Sequence, residues 1–211
     1  MNSRPLIVSD CDEVLLHMVS HFKEWLEASQ GIDFNLEGHD FANAMRWQKT
    51  GEVLEPMDIW TMLGRFFDTE MDSQTPIEGA VESLNALMDH ADVVVLTNLV
   101  DDRREKRAEQ LAAVGIDAPV YTNQGPKGPA LDKILDELGR DRQVFFIDDL
   151  AQHHASVKEI LPDVICLHMC GDPQVATAID CAHKAGNADA RIDRWGDALP
   201  WLLERLEKEP A

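Results

Sequence analysis

Five short runs rich in β-branched and aromatic residues, at positions 6–9, 93–97, 119–122, 144–147 and 164–168, recur along this chain with longer helical patterns between most of them. The alternation predicts a parallel sheet flanked by helices, because parallel neighbours need long crossovers and are covered on both faces. Residues 79–88 carry Val81, Leu84, Leu87 and Met88 at helical spacing, and 101–114 read as a helix opened by a capping Asp101 and closed at Gly115. Further helices are expected at 129–138 and 151–161, and a last one near 197–206 docks Leu199, Leu202, Leu203 and Leu206 on the sheet. Residues 14–75 break the pattern. They lack a convincing strand and hold three of the five tryptophans, which reads as an inserted helical lobe. Its first helix places Val14, Leu15, Met18, Val19, Phe22, Trp25 and Leu26 along one side and leaves His17, His21 and Glu24 on another.

Composition excludes several classes of partner. At 211 residues and 45% hydrophobic, the chain supports one substantial core and a small second lobe. A formal net charge of -20 repels a nucleic-acid polymer unless basic residues segregate. They do not: Arg103, Arg104, Lys106 and Arg107 alternate with Asp101, Asp102, Glu105 and Glu109, which reads as a solvated helix face laced by ion pairs within the helix. No segment approaches membrane-spanning length, and the start of the chain carries no apolar signal region. Four cysteines without paired spacing then suggest reduced thiols in a cytoplasmic setting. Cys166, His168, Cys170, Cys181 and His183 hold zinc-ligand residue types, but 164–169 reads as a buried strand, where cysteine is a favoured core residue.

The first run ends in Ser9-Asp10-Cys11-Asp12-Glu13-Val14, so an apolar strand delivers two carboxylates one residue apart. Close carboxylates repel, and a divalent cation relieves that repulsion. Strand ends of a parallel sheet gather along one edge, which brings Asp10 and Asp12 near Thr97 and Asn98 and near Asp148 and Asp149. Lys127, in the glycine- and proline-rich loop 124–129, reaches the same edge from the start of a helix. In the lobe, Arg46, Trp47 and Trp60 are candidates for lining a pocket between lobe and sheet. His17 and His21 sit one helical turn apart, a spacing at which two imidazoles could share a metal, although solvent- or substrate-facing histidines are the simpler reading.

These residues resemble the four ordered motifs of the haloacid dehalogenase superfamily of aspartate-nucleophile phosphohydrolases: Asp10-Cys11-Asp12-Glu13-Val14, then Val95-Leu96-Thr97-Asn98, then Lys127, then Phe146-Ile147-Asp148-Asp149. The resemblance covers 6–169, and Pro76-Ile77-Glu78-Gly79 looks like the family's return from a cap inserted after the first motif. It implies an α/β, Rossmann-like three-layer parallel-sheet core formed by 1–13 and 76–211, with a helical cap over 14–75. It also implies that Asp10 attacks phosphorus and that Asp12 handles protons. Thr97, Asn98 and Lys127, helped by Arg46 and Trp47 from the cap, would bind the substrate. Mg²⁺ is expected on an Asp10 carboxylate oxygen, the Asp12 carbonyl and one of Asp148 and Asp149, with Asp149 the expected direct ligand and Asp148 orienting Lys127. The family often has glycine where this chain has Glu13 and threonine where it has Val14, so the turn into the cap is bulkier and more acidic here. Glu13 is expected to be solvated.

The expected function is therefore Mg²⁺-dependent hydrolysis of a small phosphorylated metabolite, a nucleotide or sugar phosphate, through an aspartyl-phosphate. Phosphotransfer or phosphomutase chemistry on the same scaffold, and non-catalytic binding of a phosphorylated ligand, are the competing readings. Retention of Asp12 argues against dehalogenation, since a halide leaves without a proton. Oligomeric state is left open.

Overall fold

The computed structural model describes residues 4–36 and 41–207; positions 1–3 and 208–211 of the expected core and 37–40 of the expected cap lie outside the described residues. Among the described residues there are eight strands: β1 (Leu6–Ser9), β2 (Ile32–Phe34), β3 (Met45–Trp47), β4 (Asp92–Thr97), β5 (Val120–Thr122), β6 (Val144–Asp148), β7 (Ile165–His168) and β8 (Ala190–Arg191). The α-helices are α1 (Val19–Trp25), α2 (Pro56–Thr69), α3 (Ala80–Met88), α4 (Arg104–Ala113), α5 (Gly128–Leu138), α6 (Ala151–Ile160), α7 (Pro173–Ala176) and α8 (Trp195–Leu206). Six strands form one sheet in the order β5-β4-β1-β6-β7-β8, parallel throughout.

Alternation along each strand sorts the core into two layers. Ile7, Val93, Val95, Phe145 and Ile147 face Leu84 and Leu87 of α3, Leu111 of α4 and Trp195 and Leu202 of α8. Leu6, Val8, Val94, Leu96 and Phe146 face the other way, onto Leu131, Ile134 and Leu135 of α5 and Val157 of α6. Both faces are thus dry, which is why β1 and β6 read as unbroken apolar runs. The result is a three-layer, Rossmann-like α/β fold. Successive crossovers leave β1 for opposite sides, to β4 and to β6, so a crevice opens at the carboxyl end of β1.

The structure corrects the sequence reading at several places. The segment 14–75 holds the antiparallel pair β2–β3, with Ile32 opposite Trp47 and Phe34 opposite Met45. Three-residue strands are too short to show a periodic signal, and here they are fixed by burial of Ile32, Phe34 and Met45 in a cluster with Phe22, Phe66 and Phe67, which Leu99, Cys170 and Val175 from outside the lobe join. Helix α1 starts at Val19. Val14, Leu15 and Leu16 precede it and belong instead to the core under the sheet. Asp101 caps no helix; its carboxylate accepts from the Thr122 hydroxyl across on β5, and α4 starts only at Arg104. The two-residue β8 was not anticipated from the sequence. Among the described residues, no helix is long and apolar enough to cross a membrane.

Two chain segments join lobe and sheet, and they lie side by side: the His17 amide donates to the Thr75 carbonyl at 2.9 Å and the Ile77 amide to the Leu15 carbonyl at 2.9 Å. On the far face, α5 and α6 touch so closely that a Cβ on Gly128 would lie 2.2 Å from the Ser156 carbonyl oxygen. Since Gly128 follows Lys127 directly, that contact also fixes where the lysine starts. Gly128→Ala is expected to lower unfolding free energy by about 2 kcal/mol, an overpacking cost, as read from the urea midpoint.

Candidate active site

The register pairing Ser9 with both Val95 and Ile147 sets the ends of β1, β4 and β6 abreast. Asp10 leaves β1 with its amide still bonded to the Ile147 carbonyl at 2.8 Å. Lys127, 1% exposed, spans the crevice: its Nζ lies 2.6 Å from Asp10 Oδ1 and 2.7 Å from Asp148 Oδ2. The other Asp148 oxygen accepts the Leu150 amide at 2.8 Å, so both of its oxygens are engaged. Asp10, Asp148 and Asp149 each offer a carboxylate oxygen within 4.8 Å of the others.

Three carboxylates against one ammonium leave an excess of negative charge in a place with little water. Burial, together with Asp148 and Asp12, pushes the Asp10 carboxyl up to about 7 in spite of Lys127. Burial also drives Asp149 well above the usual carboxylate range, and Asp148 and Asp10 add to it. For Asp148, burial works in the same direction, but Lys127 and then His153 and His154 outweigh it and hold the group low. Burial opposes the charge on Lys127 as well, yet Asp10 and Asp148 more than compensate and raise its pKa. A cluster that cannot ionise fully on its own is matched to a hard divalent cation, which takes carboxylate oxygens and restores the balance. The donor set fits Mg²⁺, with Asp10 and Asp149 as the carboxylates not already closed off by other partners. Thr97, at the end of β4, is fully buried with a hydroxyl that has no partner.

Asp12 stands apart from that trio. Its carboxylate lies 3.0 Å from the Arg107 guanidinium and accepts from Gln74 Nε2 at 3.1 Å. Arg107 is fully buried and also donates to the Cys11 sulfur. The reading of 101–114 as a solvated, internally paired face therefore fails at its centre. Arg103 pairs with Asp68 at 2.8 Å, Lys106 faces Asp72 at 3.9 Å, and Arg107 turns inward to Asp12. The available signal was position: Arg107, Gln110 and Leu111 form one buried stripe at i, i+3 and i+4. Gln74, just before the return from the lobe, carried no such signal. Glu13 also departs from expectation. It is 2% exposed, and its Oε1 accepts the Met18 and Val19 amides at 2.9 and 2.6 Å at the start of α1. Its φ of 61° is left-handed, a conformation that glycine adopts more readily than glutamate.

A cavity of roughly 840 Å³ opens above Asp10, Asp12, Lys127 and Asp149. Leu36, Phe41, Trp60, Leu63 and Phe67 wall it on the lobe side, with Asn98 and His153 near its floor. Asn98 donates to the Gly125 carbonyl at 3.0 Å and so ties the loop before Lys127 to the end of β4. Arg46 and Trp47 do not line this cavity. Pairing with β2 and the turn back to Val53 hold β3 within the lobe, so Arg46 is exposed beside the Gly51 carbonyl and Trp47 packs on the lobe's cluster. Trp60 does line it, while remaining 70% exposed. Cys166 and Cys170 are buried, and His168 accepts the Ala182 amide at 2.9 Å, so these residues serve the packing around β7.

No family model matches the chain, and no curated protein does. Solved structures do. A HAD family hydrolase from Deinococcus radiodurans, seen with bound phosphate and sodium, aligns over 100% of both chains with a TM-score of 0.67 and 19% identity. YfnB of Bacillus subtilis, described as a HAD-hydrolase and bound to magnesium, aligns over 99% of this chain and 100% of its own, with a TM-score of 0.61 and 13% identity. L-2-haloacid dehalogenase from Xanthobacter autotrophicus, carrying covalently bound chloropropionic acid, aligns over 94% of this chain and 98% of its own, with a TM-score of 0.56 and 12% identity.

Removing Arg107 would strand Asp12 in a largely dry setting. Arg107→Met is expected to cost about 3 kcal/mol in urea unfolding, and much less when combined with Asp12→Asn, so that a double-mutant cycle isolates the pair.

Proposed function

We propose that this chain, which has the fold of the haloacid dehalogenase-like hydrolases, hydrolyses phosphate monoesters of small molecules with Asp10 as nucleophile. The observation that carries this reading is the buried Lys127 held between Asp10 and Asp148, with Asp149 beside them at the floor of an open cavity. An ammonium has three donors. Two are spent on Asp10 and Asp148, which orients the third toward a phosphate oxygen in the cavity that Lys127 lines. The unpartnered Thr97 hydroxyl supplies a second donor to the same anion. Mg²⁺, held by Asp10 and Asp149, would when bound neutralise charge on the phosphate and on the carboxylates around it.

In the first half-reaction an Asp10 oxygen forms a bond to phosphorus as the bond to the ester oxygen breaks, giving an aspartyl-phosphate and an alcohol. Asp12, which lines the same cavity, is the group placed to protonate the departing oxygen. In the second half-reaction water attacks phosphorus, Asp12 takes its proton, and Asp10 and inorganic phosphate are released. Lys127 keeps Asp10 directed into the cavity throughout, because the ion pair at 2.6 Å leaves that side chain little rotamer freedom.

The walls suggest which alcohol leaves. Leu36, Phe41, Trp60, Leu63 and Phe67 offer apolar and aromatic surface and no charge. Arg103, the other basic residue of the lining, is already bonded to Asp68 and to the Gly64 carbonyl. A monophosphate on an aromatic or otherwise apolar-faced alcohol, nucleobase-like rings included, suits them better than a polyphosphate. A reducing, cytoplasmic setting belongs to the same reading, supported by the free cysteines Cys11, Cys166, Cys170 and Cys181.

Purified protein assayed with Mg²⁺ against a panel of phosphate monoesters is expected to release inorganic phosphate, and Asp10→Asn to lower kcat by roughly a thousand-fold or more. Chelation by EDTA should abolish turnover and added Mg²⁺ restore it. An isomerised ester in place of free phosphate would indicate phosphotransfer. Chloride release from 2-chloropropionate without phosphatase activity would assign the chain to dehalogenation, and tight ligand binding without turnover would make it a binding protein. Trp60→Ala is expected to raise KM for aryl phosphates about five-fold with kcat nearly unchanged, since the ring contributes ground-state and transition-state contact equally.

A further inference from the structure

Glu13, His17 and Asp172 each bring one ligand atom within 4.8 Å of the other two, at the junction between the segment entering the lobe and the loop that follows β7. Each carboxylate has one oxygen fixed and one left over. Glu13 Oε1 accepts the Met18 and Val19 amides, and Oε2 is buried with no partner. Asp172 Oδ1 accepts the Gln174 and Val175 amides at 2.8 and 3.4 Å, and Oδ2 faces His17 Nδ1 at 3.6 Å. His17 Nδ1 is itself buried and makes no hydrogen bond, while the His17 side chain as a whole keeps 25% exposure. A left-handed φ at Glu13 stores backbone strain, and burying a second carboxylate beside it adds a desolvation cost. Capping α1 uses only one of the two Glu13 oxygens and leaves that arrangement unexplained.

We propose that Glu13, His17 and Asp172 form a second divalent cation site, distinct from the one at Asp10 and Asp149, that takes a borderline transition-metal ion of the zinc class. Two carboxylate oxygens and one imidazole nitrogen are a mixed donor set that Mg²⁺ disfavours and Zn²⁺ accepts, with water as fourth ligand. Tetrahedral zinc sets its donors roughly 3.4 Å apart, close to the existing His17–Asp172 separation of 3.6 Å. The amides that hold Oε1 and Oδ1 orient the free oxygens as outer-shell partners orient ligands in built metal sites. Because Glu13 and His17 precede α1 while Asp172 belongs to the sheet's loops, the ion would join the root of the lobe to the core. The pairing of His17 with His21 considered from the sequence does not form: His21 bonds to Thr75 instead.

The test is calorimetric titration of Zn²⁺ into metal-stripped full-length protein in saturating Mg²⁺, which occupies the acidic trio. One zinc per chain is expected, with thermal unfolding shifted upward. His17→Gln and Asp172→Asn, the latter retaining the α7 cap oxygen, should each weaken zinc binding by roughly 100-fold or more while leaving Mg²⁺-dependent phosphate release unchanged. Asp149→Asn should abolish that release and leave zinc binding intact, so failure of the phosphatase reading and failure of this one are separable. No zinc uptake by the wild-type chain, full uptake by both His17 and Asp172 variants, or loss of uptake in Asp149→Asn would each overturn the proposal.

Discussion

The ammonium of Lys127, buried between Asp10 and Asp148, is the interaction on which the rest of the site depends. In a setting this dry, isolated carboxylates would take up protons and lose their negative charge. One lysine cannot neutralise three acids, so the crevice retains an appetite for positive charge. The parallel sheet is what makes the arrangement affordable: the adjacent ends of β1 and β6 set the acids at fixed spacing, and the start of α5 sets the lysine, with no loop needing to find its place.

A second buried cation serves a different carboxylate. Arg107 is paired with Asp12 and lies over the Phe67 ring of the lobe, 5.6 Å from its centroid. In a chain of net charge -20, both fully buried cations of this region face the same two-residue acid motif, one to Asp10 and one to Asp12. The division of labour follows. Asp10 is fixed by a point charge from the α5 side, while Asp12 is fixed by a planar guanidinium from α4 and by Gln74 from the returning lobe segment.

The sheet was legible because its strands are buried on both faces and its motif residues sit at strand ends, where topology alone decides neighbourhood. Asp10, Lys127, Asp148 and Asp149 meet as their positions in the sequence require. The lobe was less legible, because short strands such as β2 and β3 are held by tertiary packing and leave no period to read. Arg107 and Glu13 were misread for one shared reason. Charge in a single sequence defaults to solvent, and that default is overturned for Arg107 by Asp12, some 95 residues away, and for Glu13 by the Met18 and Val19 amides at the start of α1. Arg46 and Trp47 were misplaced because composition locates aromatic and basic residues in a lobe but does not say which of its sides faces the sheet.

Helix α4 connects these observations. Its exposed face sends Lys106 to Asp72, and Arg103 just before its first turn reaches Asp68, both of the lobe; from its buried stripe it sends Arg107 to Asp12 and Gln110 to Gln74 and the Met71 carbonyl. The exposed pairs contribute little to stability one by one. The buried contacts matter more, because Gln74 and Met71 lie on the segment returning from the lobe. A shift of the lobe against the sheet therefore changes the partners of Asp12 directly, whereas Asp10 and Lys127, anchored wholly within the sheet and α5, are unaffected. Asp10 is thus held by the sheet and the start of α5, while Asp12 is held where lobe and core meet.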